Sequence, residues 1–419
     1  MKKKIFATTF ALILALLAIV ITLTGCASSA VAAGWAGVTV SGDSVYTVSS
    51  QGQLVVLSLA DLTKTNWTAA VEGVASSGGI LGCSASSTVV AVYGTPAVSG
   101  DMVYLAGYNG KVYSYSISKQ SESSNALLDQ DDSKPIVGGL VVDQGRVFVA
   151  SSNGNLYALD ATTLTQIWKL PTGNKIWSTP AVDNGTVFVG SFDKKVYAVN
   201  EVTGNKKWSF STQGAIIATP VIDNGTVYIA SFDRHIYALD EATGSVKWQY
   251  PASGQSGNTP SQWFWATPVI SNGILYAPCL DGKVYAVKTQ DGSLVVTFDL
   301  GAAISSSPVV VAGKVIVATE DAKIYSLDAS TGATPLPLID LRGADNQPTL
   351  KVNSRLSTAN GIVYIHGLLP DIIYALDPVT KNFTLSEILT GATASASTIT
   401  VPTTVILTTT ATVTVTATK

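Results

Sequence analysis

By length alone the 419 residues would divide into two or three domains, but Val, Thr, Ser, Gly and Tyr abound and only 13% of residues are charged, the make-up of a strand-rich rather than a helical protein. A formal net charge of −3 leaves no basic field to hold nucleic acid, so that class of partner is set aside. Two histidines and three cysteines, with no CxxC spacing, supply too few ligands for a zinc site.

Residues 1–25 read as a targeting segment. Lys2, Lys3 and Lys4 precede an apolar run from Ile5 to about Leu23, the basic and apolar regions that an export signal needs. The run ends in "LTGC", which resembles the bacterial lipobox. That resemblance implies cleavage before Cys26, lipid attachment to it, and residues 26–35 as a linker from the membrane. The other reading is an uncleaved anchor, because the apolar run is nearly long enough to span a bilayer. On either reading the rest of the chain works outside the cytoplasm. Cys83 and Cys279 could pair there, but nothing local links them, and two buried or idle thiols are the expectation.

From residue 36 the sequence repeats. A tyrosine recurs at Tyr113, Tyr157, Tyr197, Tyr237, Tyr285, Tyr325 and Tyr374, and an earlier unit carries Val55 in its place, which makes eight units. Each opens with a "TPAV"-like strand, as at Thr95, Thr179, Thr219 and Thr267. A tight turn such as Asn184-Gly185 or Asn224-Gly225 follows, and Asn-Gly suits a two-residue hairpin because both central positions need positive φ. An apolar strand, a Gly/Asp tip, a "VYALD" strand, a Thr-Gly turn and an outer strand complete the unit. Four antiparallel strands every 40–45 residues mark a propeller blade, which must stack on neighbours to bury both faces. The expected fold is all-β: an eight-bladed β-propeller of four-stranded antiparallel blades over residues 36–388. Seven blades with a stray hairpin is the second possibility, since the first unit is the least regular.

The pattern "TPAVxNGxVYxxSxDxxxYALDxxTGxxxW", sharpest from Ser178 to Trp248, resembles the PQQ-type propeller repeat and covers nearly the whole mature chain. Together with the lipobox, the architecture is similar to that of the BamB-like propeller lipoproteins, which implies a part in outer-membrane β-barrel assembly. The repeat family also implies that outer-strand tryptophans dock between adjacent blades. Trp67, Trp168, Trp208 and Trp248 hold that position; Ser124 and Val296 stand there in two units that lack it, where packing should differ. Quinoprotein dehydrogenases with this repeat carry their cofactor in the central funnel with a vicinal cysteine pair, Ca²⁺ ligands and a catalytic Asp. No adjacent cysteines occur here, and Asp160 and Asp240 sit in turns where carboxylates bond backbone N–H groups. No catalytic residue, cofactor or metal is therefore expected. His235, in a tip, and His366, in a strand, lack a neighbouring nucleophile motif and read as surface or packing residues.

Function should then sit in irregular loops on one face of the ring. Four connections between blades are enlarged, the first containing Cys83, the second "LDQDDSKP", the third "PASGQSGNTPSQWFW" and the fourth "PLPLIDLRGADNQPTLKVNSR". Cys279 should lie near the same face. Trp263, Phe264 and Trp265 either cap a blade junction or bind a partner, since aromatics are enriched in binding hot spots. Asp129, Asp131 and Asp132 form a solvated acidic loop and a further partner-binding candidate, without the spacing of a calcium loop. Residues 389–419, rich in Thr and Val, are expected to be a flexible tail or one more strand. The expected function is a non-catalytic, lipid-anchored scaffold, a monomeric propeller within a larger complex that docks an envelope protein or peptide. The alternatives are a small-molecule or quinone binder using the channel, and a cell-wall glycan binder using the exposed aromatics.

Overall fold

The computed structural model describes residues 34–387 apart from 72–89, 130–133, 255, 331, 333, 334, 336, 342–351, 353 and 368–370. Among these residues there is no helix. Eight four-stranded sheets span 39–70, 97–127, 140–171, 181–211, 221–250, 269–299, 309–340 and 357–387, numbered here as blades 1 to 8. Within each blade the strands lie side by side in chain order, running from the innermost to the outermost. The eight-bladed propeller is the observed fold, and no hairpin is left over among the described residues.

Blade 4 shows how the sequence builds the unit. Asn184 and Gly185, at φ 45° and 69°, form the hairpin between the inner strand Ala181–Asp183 and the second strand Thr186–Gly190. The second strand and the third, Lys195–Asn200, are covered on both faces by neighbouring blades, so their apolar runs are almost continuously buried. The outer strand Lys206–Ser211 instead alternates, turning Trp208 and Phe210 inward and Lys207 and Ser209 outward. Burying each such Val or Phe stabilises the ring by roughly 1.5–3 kcal/mol.

The blade junctions follow a complementary rule. Trp168, Trp208 and Trp248 each donate Nε1–H to a backbone carbonyl of the next blade, Glu201 at 3.0 Å, Glu241 at 2.9 Å and Thr289 at 2.9 Å. Their rings lie against Gly204, Gly244 and Gly292, where an added Cβ would come within 2.7, 2.6 and 2.5 Å of the indole. Trp67 is likewise buried between blades 1 and 2, with Val103 and Tyr113. Where blade 2 has Ser124 instead of tryptophan, blade 3 places Leu164 at the glycine's position, at φ 58° and buried among blade 2 side chains. At these three junctions a large ring on one side goes with no side chain on the other. The pairing is not general, since blade 2 carries Gln120 at the position corresponding to the glycine for Trp67, and blade 7 keeps Gly332 although blade 6 has Val296 in place of tryptophan.

Ring closure uses different chemistry. The innermost strands of blades 8 and 1 lie side by side. His366 of blade 8, fully buried, places Nδ1 2.7 Å from the Ala36 carbonyl oxygen and Nε2 2.8 Å from Asp371 Oδ1. The other oxygen of Asp371 accepts the N–H of Ser50 at 2.6 Å, so two residues of blade 8 hold two backbone points of blade 1. His366 is thus a packing residue whose work is to fasten the last blade to the first.

Candidate binding face and central channel

The tips between second and third strands and the connections from one blade to the next meet on one face of the disc. Backbone bonds join them: Phe192 N–H donates to Lys175, Phe232 to Ala215 and Leu280 to Trp263. The tip aspartates reinforce the same joints. Asp193, Asp233 and Asp281 each accept a hydroxyl from the blade's own tyrosine, Tyr197 at 2.5 Å, Tyr237 at 2.8 Å and Tyr285 at 2.8 Å. Each also accepts a backbone N–H from the preceding connection, at Gly173, Gln213 and Ser261. Burial, and then the bond to the carboxylate, push those phenols far above the usual tyrosine range. These acids are committed to structure and are not free bases.

Other titratable groups are also moved away from neutral pH. Burial pushes the Cys279 thiol up to about 12, and its Sγ lies 3.3 Å from the Gln262 carbonyl, so it is neither exposed nor a thiolate. Asp160 and Asp240 accept the backbone N–H and hydroxyl of Thr163 and Thr243 in their turns, which holds both carboxyls below their usual value. Among the described residues no three His, Cys, Asp or Glu side chains gather as a metal site.

What this face does present is an arc of aromatic rings. Trp177 meets Phe192 edge-on at 4.8 Å, and Phe192 lies 6.5 Å from Phe232. Phe232 is stacked by Trp263 at 5.0 Å and by Trp265 at 5.9 Å. The Lys175 ammonium sits 4.2 Å from the Trp177 ring and 4.4 Å from Phe192, an arrangement a cation favours. A smaller group, Trp35, Tyr93 and Tyr108, stands on blades 1 and 2. Trp263 is 48% exposed and Tyr108 43%, which large aromatics in a closed core would not be. Four of these residues, Trp35, Tyr93, Trp177 and Trp265, also line the mouth of a central cavity of about 490 Å³.

The "QWFW" run thus divides. Phe264 is not available to a partner, because it is fully exposed to neither face: it has 0% exposure and packs on Tyr285 in the junction of blades 5 and 6. Alternation along the extended chain sends the middle residue inward when its neighbours face out. Asp129 donates nothing to an open loop; it accepts the Tyr157 hydroxyl at 3.4 Å and pairs with Lys169 at 3.3 Å. Asp131, Asp132, Cys26, Cys83, residues 1–33 and the tail from 388 onward lie outside the described residues. Sequence reasoning passed over Phe192 and Phe232, although both fill the second place of an "SFD" tip, and over Trp177, which holds the same place in its unit as Trp265.

An eight-bladed ring of PQQ-type repeats, with loops and channel mouth on one face, defines the class. The family described as "Outer membrane protein assembly factor BamB" matches residues 81–169, 122–277 and 258–378, and the chain belongs to that family. Among solved structures, BamB from Moraxella catarrhalis is similar with a TM-score of 0.61 at 16% identity, covering 79% of this chain and 90% of that one. The computationally designed Ika8 protein is similar to the same degree, with a TM-score of 0.61, 16% identity, and 80% and 93% of the two chains covered. Identities this low speak to the fold alone. No curated protein matches the sequence.

Proposed function

We propose that this chain is a lipid-anchored, extracytoplasmic propeller without chemistry of its own, which docks an envelope protein on its loop face, in a role like that of the outer membrane assembly factor whose family it shares. The observation that carries the docking reading is the aromatic arc: Trp263, half exposed, stacked on Phe232 with Trp265, Phe192 and Trp177 beside it. Such a run of rigid rings suits an extended segment bearing apolar side chains, because rings lose little conformational entropy on contact. The commitment of the tip aspartates to structural bonds supports a non-catalytic reading, and "LTGC" supports the anchor at Cys26.

The test is photocrosslinking in the cell envelope of the producing organism, with p-benzoylphenylalanine at Gln262 beside the arc and at Asn184 on the opposite hairpin face. The expected result is one envelope protein captured from position 262 and not from 184. Combining Phe232→Ala with Trp263→Ala should abolish that capture without loss of fold. Equal capture from both faces, or capture that survives the double substitution, would remove the docking reading.

A further inference from the structure

The aromatic arc on blades 4 to 6 is not the whole of the loop face. Trp35, Tyr93 and Tyr108 make a second patch on blades 1 and 2, with successive ring centroids 4.4 and 5.2 Å apart and Tyr108 43% exposed. The same local structure builds both patches. Tyr108 fills the second place of its tip, as Phe192 and Phe232 do, and its N–H donates to the Ala91 carbonyl at 2.9 Å. Tyr93 holds the place of Trp177 and Trp265 in its unit. At blade 3 the corresponding places hold Ser152 and Val137, which breaks the run and leaves two patches on different sides of the ring.

The patches differ in charge. The tips of blades 4, 5, 6 and 7 carry Asp193, Asp233, Asp281 and Asp321. Those of blades 1 and 2, residues 49–53 and 107–111, carry no acid, and Lys111 is their single charge. The patches differ also in their place along the chain. Trp35 follows Gly34, the first described residue, which lies against the backbone of Val92, and Val92 bridges Gly107 in the blade 2 tip. The chain therefore enters the propeller on the loop face, beside the second patch and at the mouth of the channel.

Cys26 stands eight positions before Gly34, so the chain between them reaches at most about 28 Å, whatever its path. To lay the opposite hairpin face on a membrane, that tether would have to cross a four-stranded blade from channel to rim and then descend the length of a strand. With strands about 4.8 Å apart and the longer strands of blade 1 five or six residues long at ~3.3 Å per residue, that path exceeds about 30 Å. A lipid on Cys26 thus holds the loop face toward the bilayer, and the corner of blades 1 and 2 nearest to it.

We propose that the Trp35–Tyr93–Tyr108 patch is a membrane-contact site, seated in the headgroup region of the bilayer that carries the anchor. The assignment depends on the anchor reading at Cys26 and not on the docking reading. Tyrosine and tryptophan suit that region because an apolar body and a polar tip are both satisfied there. Tips without carboxylates avoid repulsion from anionic headgroups, and Lys111 adds attraction. Contact at one side tips the disc, so the arc on the far side of the channel is lifted from the lipid and stays open to a protein.

The full-length protein, produced in its own envelope, would be reconstituted into vesicles of phosphatidylethanolamine and phosphatidylglycerol. It would carry p-benzoylphenylalanine, which keeps an aromatic ring, in place of Tyr108, Gln262 or Asn184. Flotation with the vesicles reports the anchor, and mass spectrometry after irradiation reports lipid adducts. All three proteins should float, with a lipid adduct from position 108 and none from 262 or 184. Flotation without an adduct from 108, or equal adducts from 108 and either other position, would overturn the site and leave the anchor standing. Failure to float would overturn both, at the anchor. Capture of a protein instead of lipid from position 108 in the intact envelope would make the patch a docking surface and overturn the membrane assignment.

Discussion

Trp168 and Gly204 occupy one volume between them. The indole is buried, bonds the Glu201 carbonyl, and lies 2.7 Å from where a Cβ on residue 204 would stand. Trp168→Ala should lower stability to unfolding by about 3–5 kcal/mol, as loss of a buried tryptophan does. Gly204→Ala should also destabilise, for two reasons: φ is +73°, which L side chains disfavour, and the methyl meets the ring. In the double variant the second reason is gone, so its cost should fall short of the two single costs added together. Urea unfolding of the four proteins measures the coupling, and additivity within about 0.5 kcal/mol would show that ring and glycine do not compete for space. Leu164 is the protein's own control: at φ 58° it keeps a side chain where the facing residue is Ser124.

Along the segment from Gln262 to Trp265, neighbouring residues meet opposite environments. Phe264→Ala should cost about 3–5 kcal/mol by emptying the junction of blades 5 and 6, while Trp263→Ala should change stability by less than about 1 kcal/mol. Thermal unfolding separates them, and a larger loss from Trp263 would mean that the ring supports the fold rather than the face. The blades themselves were legible in the sequence because every signal is local: Asn184-Gly185 sets a hairpin, and "TVFVGS" sets a strand buried on both sides. The face was legible only in part. "QWFW" stood out because it interrupts the repeat, but in a segment read as a loop nothing separated Phe264 from its neighbours. Phe192 and Phe232 were missed for the opposite reason, since a residue recurring in register with the repeat looks structural.

The closed ring is a property of the whole chain, and no motif announces it. The bond from His366 to the Ala36 carbonyl joins residues 330 positions apart, and the sequence around His366 reads as an ordinary second strand. Its consequence is a dependence on acid at one seam. Burial opposes the charged form of Asp371, but the His366 ring and the Ser50 N–H outweigh it and hold the carboxyl below its usual value. A carboxyl depressed in the folded state adds stability that is fully present above its unfolded value, about 3.9, and that disappears as pH falls through the folded value. The junction of blades 8 and 1 should therefore weaken below about pH 4. Protection of the Ser50 amide and of blade 1 from hydrogen exchange should fall in acid. Asp371→Asn should be less stable than the parent at neutral pH and should lack that acid step. Parallel pH profiles for the two proteins would show that the seam is held by apolar packing, Val38 and Val45 against Tyr364 and Ile373, and not by the His366–Asp371 pair.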